Sequence, residues 1–277
     1  NFMSLLMVVN GVAPITGPML GGWLAALSGW PAIFYFLTGF GVLLVVLSLL
    51  GLPETLPQGM RRSGGIRSSW TAMGELLRQK PFMCYVGVQG FTMGGFFGYV
   101  AASPFVLQGM YGLSPKTYSI IFGCNAMSLM LFAFATARNA RRLGEARLLR
   151  IGNTLRAVAC VGVLAVTVVS PTSPVPLLIG LFFMIALQGM TLPTSFTIGI
   201  SAQNVGAGTA SGILGVSVFI FGALTSPLVG LAGGGTALPL GIVSAVTGVA
   251  SALLGYVGER ELKKLRQVNG AAAEPRP

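Results

Sequence analysis

Residues 11–22 read Gly11-Val12-Ala13-Pro14-Ile15-Thr16-Gly17-Pro18-Met19-Leu20-Gly21-Gly22, inside an apolar run from Phe2 to about Leu27. Such a run is long enough to cross a bilayer, which takes roughly 20 residues of helix. Ala13, Gly17 and Gly21 recur every fourth residue and fall on one helix face, where the lack of bulk lets a neighbouring helix approach closely. Pro14 and Pro18 share that spacing. Each removes a backbone donor and crowds the preceding turn, which bends a helix, and membranes tolerate this where neighbouring helices shield the freed carbonyls. The stretch predicts a bent, closely packed membrane helix.

The rest of the chain agrees. Hydrophobic residues make up 53% of the 277, charged residues 8%, and the mean hydropathy is +0.80. An ordinary soluble domain carries about 25% charge, so this chain cannot cover itself with a water-compatible surface. Eight apolar runs follow one another, at about 2–27, 32–52, 82–107, 117–137, 149–169, 175–198, 208–231 and 237–256. They are apolar all round, unlike barrel strands, which alternate. The expected fold is all-α and integral to the membrane.

The net charge of +11 is concentrated in the connections. Arg61, Arg62, Arg67, Arg78 and Lys80 follow the second run; Arg138, Arg141, Arg142, Arg147 and Arg150 follow the fourth; Arg260, Lys263, Lys264, Arg266 and Arg276 follow the eighth. Basic residues accumulate on the cytoplasmic side, which places these three connections and the carboxyl terminus in the cytoplasm. Basic residues used in this way give no reason to expect nucleic acid. Cys84, Cys124 and Cys160 lie singly within spans and read as small buried hydrophobes, with neither a disulfide framework nor a metal site. The first residues run into a span with no basic segment or cleavage site before it, so they are not read as a signal peptide; an amino-terminal portion preceding Asn1 is expected.

At this point residues 11–22 resemble the antiporter motif, roughly G-x-x-x-G-P-x-x-G-G, on the fifth helix of drug:proton antiporters of the major facilitator superfamily. Gly17, Pro18, Gly21 and Gly22 match, and Ala13 stands at the first glycine. Leu52-Pro53-Glu54-Thr55-Leu56-Pro57 is similar to the exit of helix six in that group, and Ser226-Pro227-Leu228-Val229-Gly230 echoes Gly17-Pro18-Met19-Leu20-Gly21 six spans later. Residues 138–147 resemble a degenerate copy of the superfamily's basic loop. Tyr99-Val100-Ala101-Ala102-Ser103-Pro104-Phe105, Tyr111-Gly112-Leu113-Ser114 and Phe122-Gly123-Cys124-Asn125-Ala126 resemble segments of the Bcr/CflA (bicyclomycin resistance) family. The resemblance implies eight helices equivalent to helices 5–12 of twelve. Residues 1–56 would close the first half, 57–81 form a cytoplasmic linker, 82–258 form the second six-helix half and 259–277 a cytoplasmic tail. It also implies a monomeric exporter of drug-like molecules driven by protons, with alternating access around a midplane site. A non-transporting remnant, and a symporter or uniporter of small metabolites, are the competing readings.

Polar side chains within spans usually face the bundle interior or a water-filled path. Asn10, Gln89, Tyr99, Ser103, Asn125 and Gln188 are therefore the candidate substrate-cavity residues, with Phe91, Phe96 and Phe97 as aromatic walls; Pro104 and Pro193 are expected kinks. Ala13, Pro14, Gly17, Pro18, Gly21 and Gly22 are the candidate packing residues of the antiporter motif. Arg156 is placed near a helix end, from which a long side chain can reach the interface. All six acidic residues, Glu54, Glu75, Glu145, Glu259, Glu261 and Glu274, fall in connections, at helix ends or in the tail, and His and Asp are absent. A group that titrates within the membrane is thus missing here, and in the resembling antiporters it belongs to the first four helices. With no carboxylate pair, no Ser/His/Asp set and no metal-ligand cluster, neither an enzyme nor a cofactor site is expected.

Overall fold

In a computed structural model, the described residues are 20–21, 23–25, 27–51, 65–169, 173–203, 206–230 and 236–273. Among them the regular structure is helical: α1 (Pro31–Gly51), α2 (Gly65–Arg78), α3 (Lys80–Pro104), α4 (Pro115–Leu143), α5 (Glu145–Val169), α6 (Val175–Ser201), α7 (Ala207–Gly230) and α8 (Leu238–Ala273). Seven of these, α1 and α3 to α8, are long and apolar enough to cross a membrane. The first expected span falls mostly outside the described residues, and with it Asn10, Ala13, Pro14, Gly17, Pro18 and Gly22. Gly21 is described: it is helical, and nothing lies within 4 Å of where its side chain would be.

The chain divides into two compact units, residues 1–68 and 69–277. In the first, α1 exposes nearly every large side chain it has, Phe34, Tyr35, Leu37, Leu49 and Leu50 among them. In water this would be untenable, whereas lipid solvates such a surface.

In the second unit α3 is the central helix. It packs against α7, α8 and α6, while α5 lies between α8 and α6, and α4 rests on α6. Glycines set these distances. A side chain at Gly87 would meet Leu254 at 2.5 Å, one at Gly98 would meet Val243 at 3.0 Å, and one at Gly94 would meet Thr225 at 3.1 Å. Association in lipid relies on such close packing, because lipid tails are as apolar as leucine.

Local signals set the helix ends. Ser114 accepts a hydrogen bond from the Thr117 backbone N–H at 3.1 Å, and Pro115 occupies the first turn of α4, where its missing donor is harmless. Gly144 ends α4 at φ 78°, a left-handed conformation that glycine adopts without penalty. Pro104 lies inside a continuous helical path that widens into π-helical turns over Phe105–Met110.

Two readings of the sequence are revised. The polar connection contains a helix, α2, whose Ala72 and Leu76 are buried while Trp70 is 65% exposed. Leu76 belongs to a cluster with Phe82, Val86, Ala210 and Leu214. Cys124 is exposed, unlike Cys84 and Cys160, because it points away from the neighbours of α4.

Candidate functional site

The polar residues of α3 recur at helical spacing. Gln89, Phe96, Tyr99 and Ser103 stand seven, three and four residues apart, so they share a face. From Gln89 to Ser103 this face extends about 21 Å at 1.5 Å per residue. On α4, Tyr118, Phe122 and Asn125 repeat the pattern and meet it.

The meeting is specific at the end of α3 nearer Pro104. Asn125 Nδ2 donates to the Tyr99 hydroxyl at 2.9 Å, and the Ser103 and Tyr118 hydroxyls are paired at 3.1 Å. Tyr99 and Phe122 stack, with ring centroids 6.1 Å apart and planes 11° apart; Phe96 leans on Tyr99 and Tyr118 on Phe122. Tyr99, Ser103 and Asn125 are buried while Phe96 and Phe122 are half-buried, so aromatic surface with hydrogen-bonding groups behind it lines the α3/α4 seam.

A second polar contact joins α3 to α6. Gln89 Nε2 donates to the Leu192 carbonyl at 2.8 Å, one residue before Pro193. Gln188 Nε2 reaches Met93 Sδ at 3.1 Å, and its buried Oε1 has no partner. On another face of α6, glycine allows close approach to α4: a side chain at Gly189 would collide with the Leu129 carbonyl oxygen. Phe91 stands apart from both groups and packs edge-on against Phe221 of α7, with centroids 4.7 Å apart. The structure thus brings Tyr99, Ser103 and Asn125 together and sets Gln89 and Gln188 on the two sides of the α3/α6 seam, each with another partner, but places Phe91 elsewhere.

Arg156 corrects the sequence reading. It is the twelfth residue of α5, roughly 16 Å along the helix, and its exposure is 0%. Its guanidinium does not turn to an interface but crosses to α3, where Nη2 donates to the Thr92 carbonyl at 3.1 Å. Gly95 makes room for it: a side chain there would lie 2.9 Å from Nη2 and 2.7 Å from Thr247 Oγ1. Beside it, Asn153 and Ser251 exchange hydrogen bonds, and Ser251 pairs with the Thr92 hydroxyl at 3.0 Å.

Tyr118, Met93, Asn153 and Ser251 were missed from the sequence. Tyr118 was the accessible one, four residues before Phe122 on the same face. Among the described residues no group of three His, Cys, Asp or Glu side chains is placed to hold a metal ion.

The Major Facilitator Superfamily model matches residues 2–227 of the chain. The chain belongs to the Major Facilitator Superfamily. It is 39% identical over 256 residues to an uncharacterized MFS-type transporter, YdgK, of Bacillus subtilis, covering 91% of this chain and 63% of that protein. It is 27% identical to the bicyclomycin resistance protein homolog of Haemophilus influenzae, covering 94% of this chain and 66% of the relative. With the multidrug resistance protein MdtL of Klebsiella pneumoniae it shares 26% identity over 78% of this chain and 53% of the relative. The chain therefore spans about two thirds or less of these curated relatives. In fold it is similar to the fucose:proton symporter FucP of E. coli, with a TM-score of 0.63 at 16% identity, covering 89% of this chain and 65% of that one. The chain is a multi-pass, all-helical membrane protein of the superfamily's fold.

Proposed function

We propose that this chain forms the rear portion of a bacterial inner-membrane exporter of drugs or other small organic molecules, coupled to inward proton flow and working by alternating access. Residues 1–56 complete the first half, 57–81 link the halves, 82–258 form the second half, and the tail from 259 is cytoplasmic. The observation that carries the reading is the seam of Phe96, Tyr99, Ser103, Tyr118, Phe122 and Asn125: flat apolar surface with a few fixed hydrogen-bonding groups suits planar or amphipathic organic substrates. The relatives named for bicyclomycin and multidrug resistance support that substrate class. Ala13, Pro14, Gly17, Pro18, Gly21 and Gly22 are the packing residues of the antiporter motif in this reading, and the proton-titrating carboxylate would come from helices this chain does not contain, since its own acidic residues fall in connections, at helix ends or in the tail.

The test uses inside-out vesicles containing the protein with a complete first half, acidified inside, and a pH-sensitive dye. Adding bicyclomycin or a panel of planar cationic drugs should release protons, and Tyr99→Ala or a bulky residue at Gly17 should abolish the release. Substrate accumulation in intact cells would instead indicate a symporter. No proton movement and no added drug resistance would leave the non-transporting remnant.

A further inference from the structure

We infer that Arg156 holds a small monovalent inorganic anion, such as chloride, inside the bundle formed by α3, α5 and α8. A guanidinium stays protonated at any accessible pH and carries five N–H donors. At Arg156 Nη2 has a partner, while the buried Nε and Nη1 have none. A full charge without a counter-charge is among the least tolerable groups in a membrane protein's interior. Among the described residues no carboxylate stands at this depth. Glu145 begins α5, and Glu259, engaged with Arg150 at 3.8 Å and Lys263 at 2.7 Å, lies eight residues beyond Ser251, about 12 Å along α8.

The surroundings specify the missing group's chemistry. Thr247 Oγ1, which converges with Nη2 on the space beside Gly95, is directed at the Val243 and Ser244 carbonyls. Ser244, three residues before Thr247 on α8, has a buried hydroxyl with no partner. The unsatisfied atoms of Arg156 itself, Nε and Nη1, are donors on a positively charged group, so the occupant must accept hydrogen bonds and be negative. It must also be compact, because the helices close tightly here: a side chain at Gly248 would meet Cys160 at 2.6 Å.

A cavity of about 280 Å³ lies between the start of α5 and the far part of α8, with Arg150 and Glu259 in its wall and Asn153 among its lining residues. Asn153 precedes Arg156 by three residues on the same helix, and its hydrogen bonds run through Ser251 and Thr92 to the carbonyl that receives the guanidinium.

The experiment measures the thermal midpoint of the full chain in detergent while sodium chloride replaces sodium gluconate at constant ionic strength, with bromide in parallel. The expected result is a rise of the midpoint that saturates with chloride or bromide, is lost in Arg156→Met and is partly kept in Arg156→Lys. In gluconate alone, Arg156→Met should melt no lower than the parent, because it removes an uncompensated charge. An identical parent midpoint in chloride and gluconate would overturn the inference in favour of water alone, as would a halide shift that persists in Arg156→Met. If that variant does not fold, anomalous scattering from bromide-soaked crystals of the parent decides: a peak beside the guanidinium supports the site and its absence refutes it.

Discussion

Replacing Gly189 by alanine tests whether close backbone contact holds α4 against α6. A Cβ at position 189 would collide with the Leu129 carbonyl oxygen and would stand 2.8 Å from the Ala133 nitrogen and 3.2 Å from the Leu129 carbonyl carbon, whereas ordinary contact begins at 3.4 Å. The obstacle is main chain, so no rotamer change relieves it, and the helices must part by at least about 0.6 Å. A gap of that size forfeits a quarter or more of each dispersion contact along the seam, and in lipid those contacts are the principal attraction between helices. Overpacking of this kind costs about 1–3 kcal/mol; with a backbone obstacle the upper half of that range applies, a fall of roughly 4–12 °C in the melting midpoint for a domain of this size. Gly162, on α5, has nothing within 4 Å of its missing side chain, so Gly162→Ala serves as the control and should leave the midpoint unchanged or slightly raised. The assay is thermal denaturation of both variants in one detergent. If Gly189→Ala melts within about 2 °C of the parent, or if Gly162→Ala falls as far, the close-approach reasoning is wrong.

Removing the Tyr99–Asn125 contact by Tyr99→Phe and Asn125→Ala, singly and together, should show a coupling of roughly 0.5–2 kcal/mol in a double-mutant cycle; additive losses would mean the two side chains do not interact. Leu76→Ala should destabilise by about 2–5 kcal/mol and expose the α2/α3 junction to trypsin at the Arg78–Gln79 bond, while Leu77→Ala, at a position 48% exposed, should do neither. A maleimide should attach three times after denaturation, but in the folded protein in detergent it should not reach Cys84 or Cys160, which are buried; labelling of Cys160 in the folded state would contradict the packing of α5 on α8.

What the sequence made legible follows from which signals are local. Gln89, Tyr99, Ser103, Asn125 and Gln188 stood out because a polar group in an apolar run needs a protein partner or water, and in the structure each is buried within the bundle. The partner was not legible: Gln89 finds a carbonyl 103 residues away, and only the fold brings Leu192 there. Arg156 was misplaced for the same reason. Counting from a helix end measures how far a long side chain is from an interface, yet the direction it takes depends on a missing side chain at Gly95 of α3. The helix in the connection was overlooked because its composition is polar, although Ala72 and Leu76, four residues apart, mark a face that docks. The π-helical turns after Pro104 had a visible cause in the proline, but no sequence signal fixes the register beyond it.

The arrangement of α3 links its glycines to its polar face. Gly87, Gly94, Gly95 and Gly98 meet Leu254, Thr225, Thr247 and Val243, all on α7 or α8. With these contacts fixed, the rotation of α3 is fixed, since residues 3 and 4 apart share a face while those between point away. Gln89, Tyr99 and Ser103 must then turn toward α4 and α6, where their hydrogen-bond partners lie. A bulky residue in the glycine stripe should therefore disturb the Tyr99–Asn125 bond without touching either residue. The glycines that let α3 pack closely against α7 and α8 are therefore also what aims the seam proposed to receive substrate.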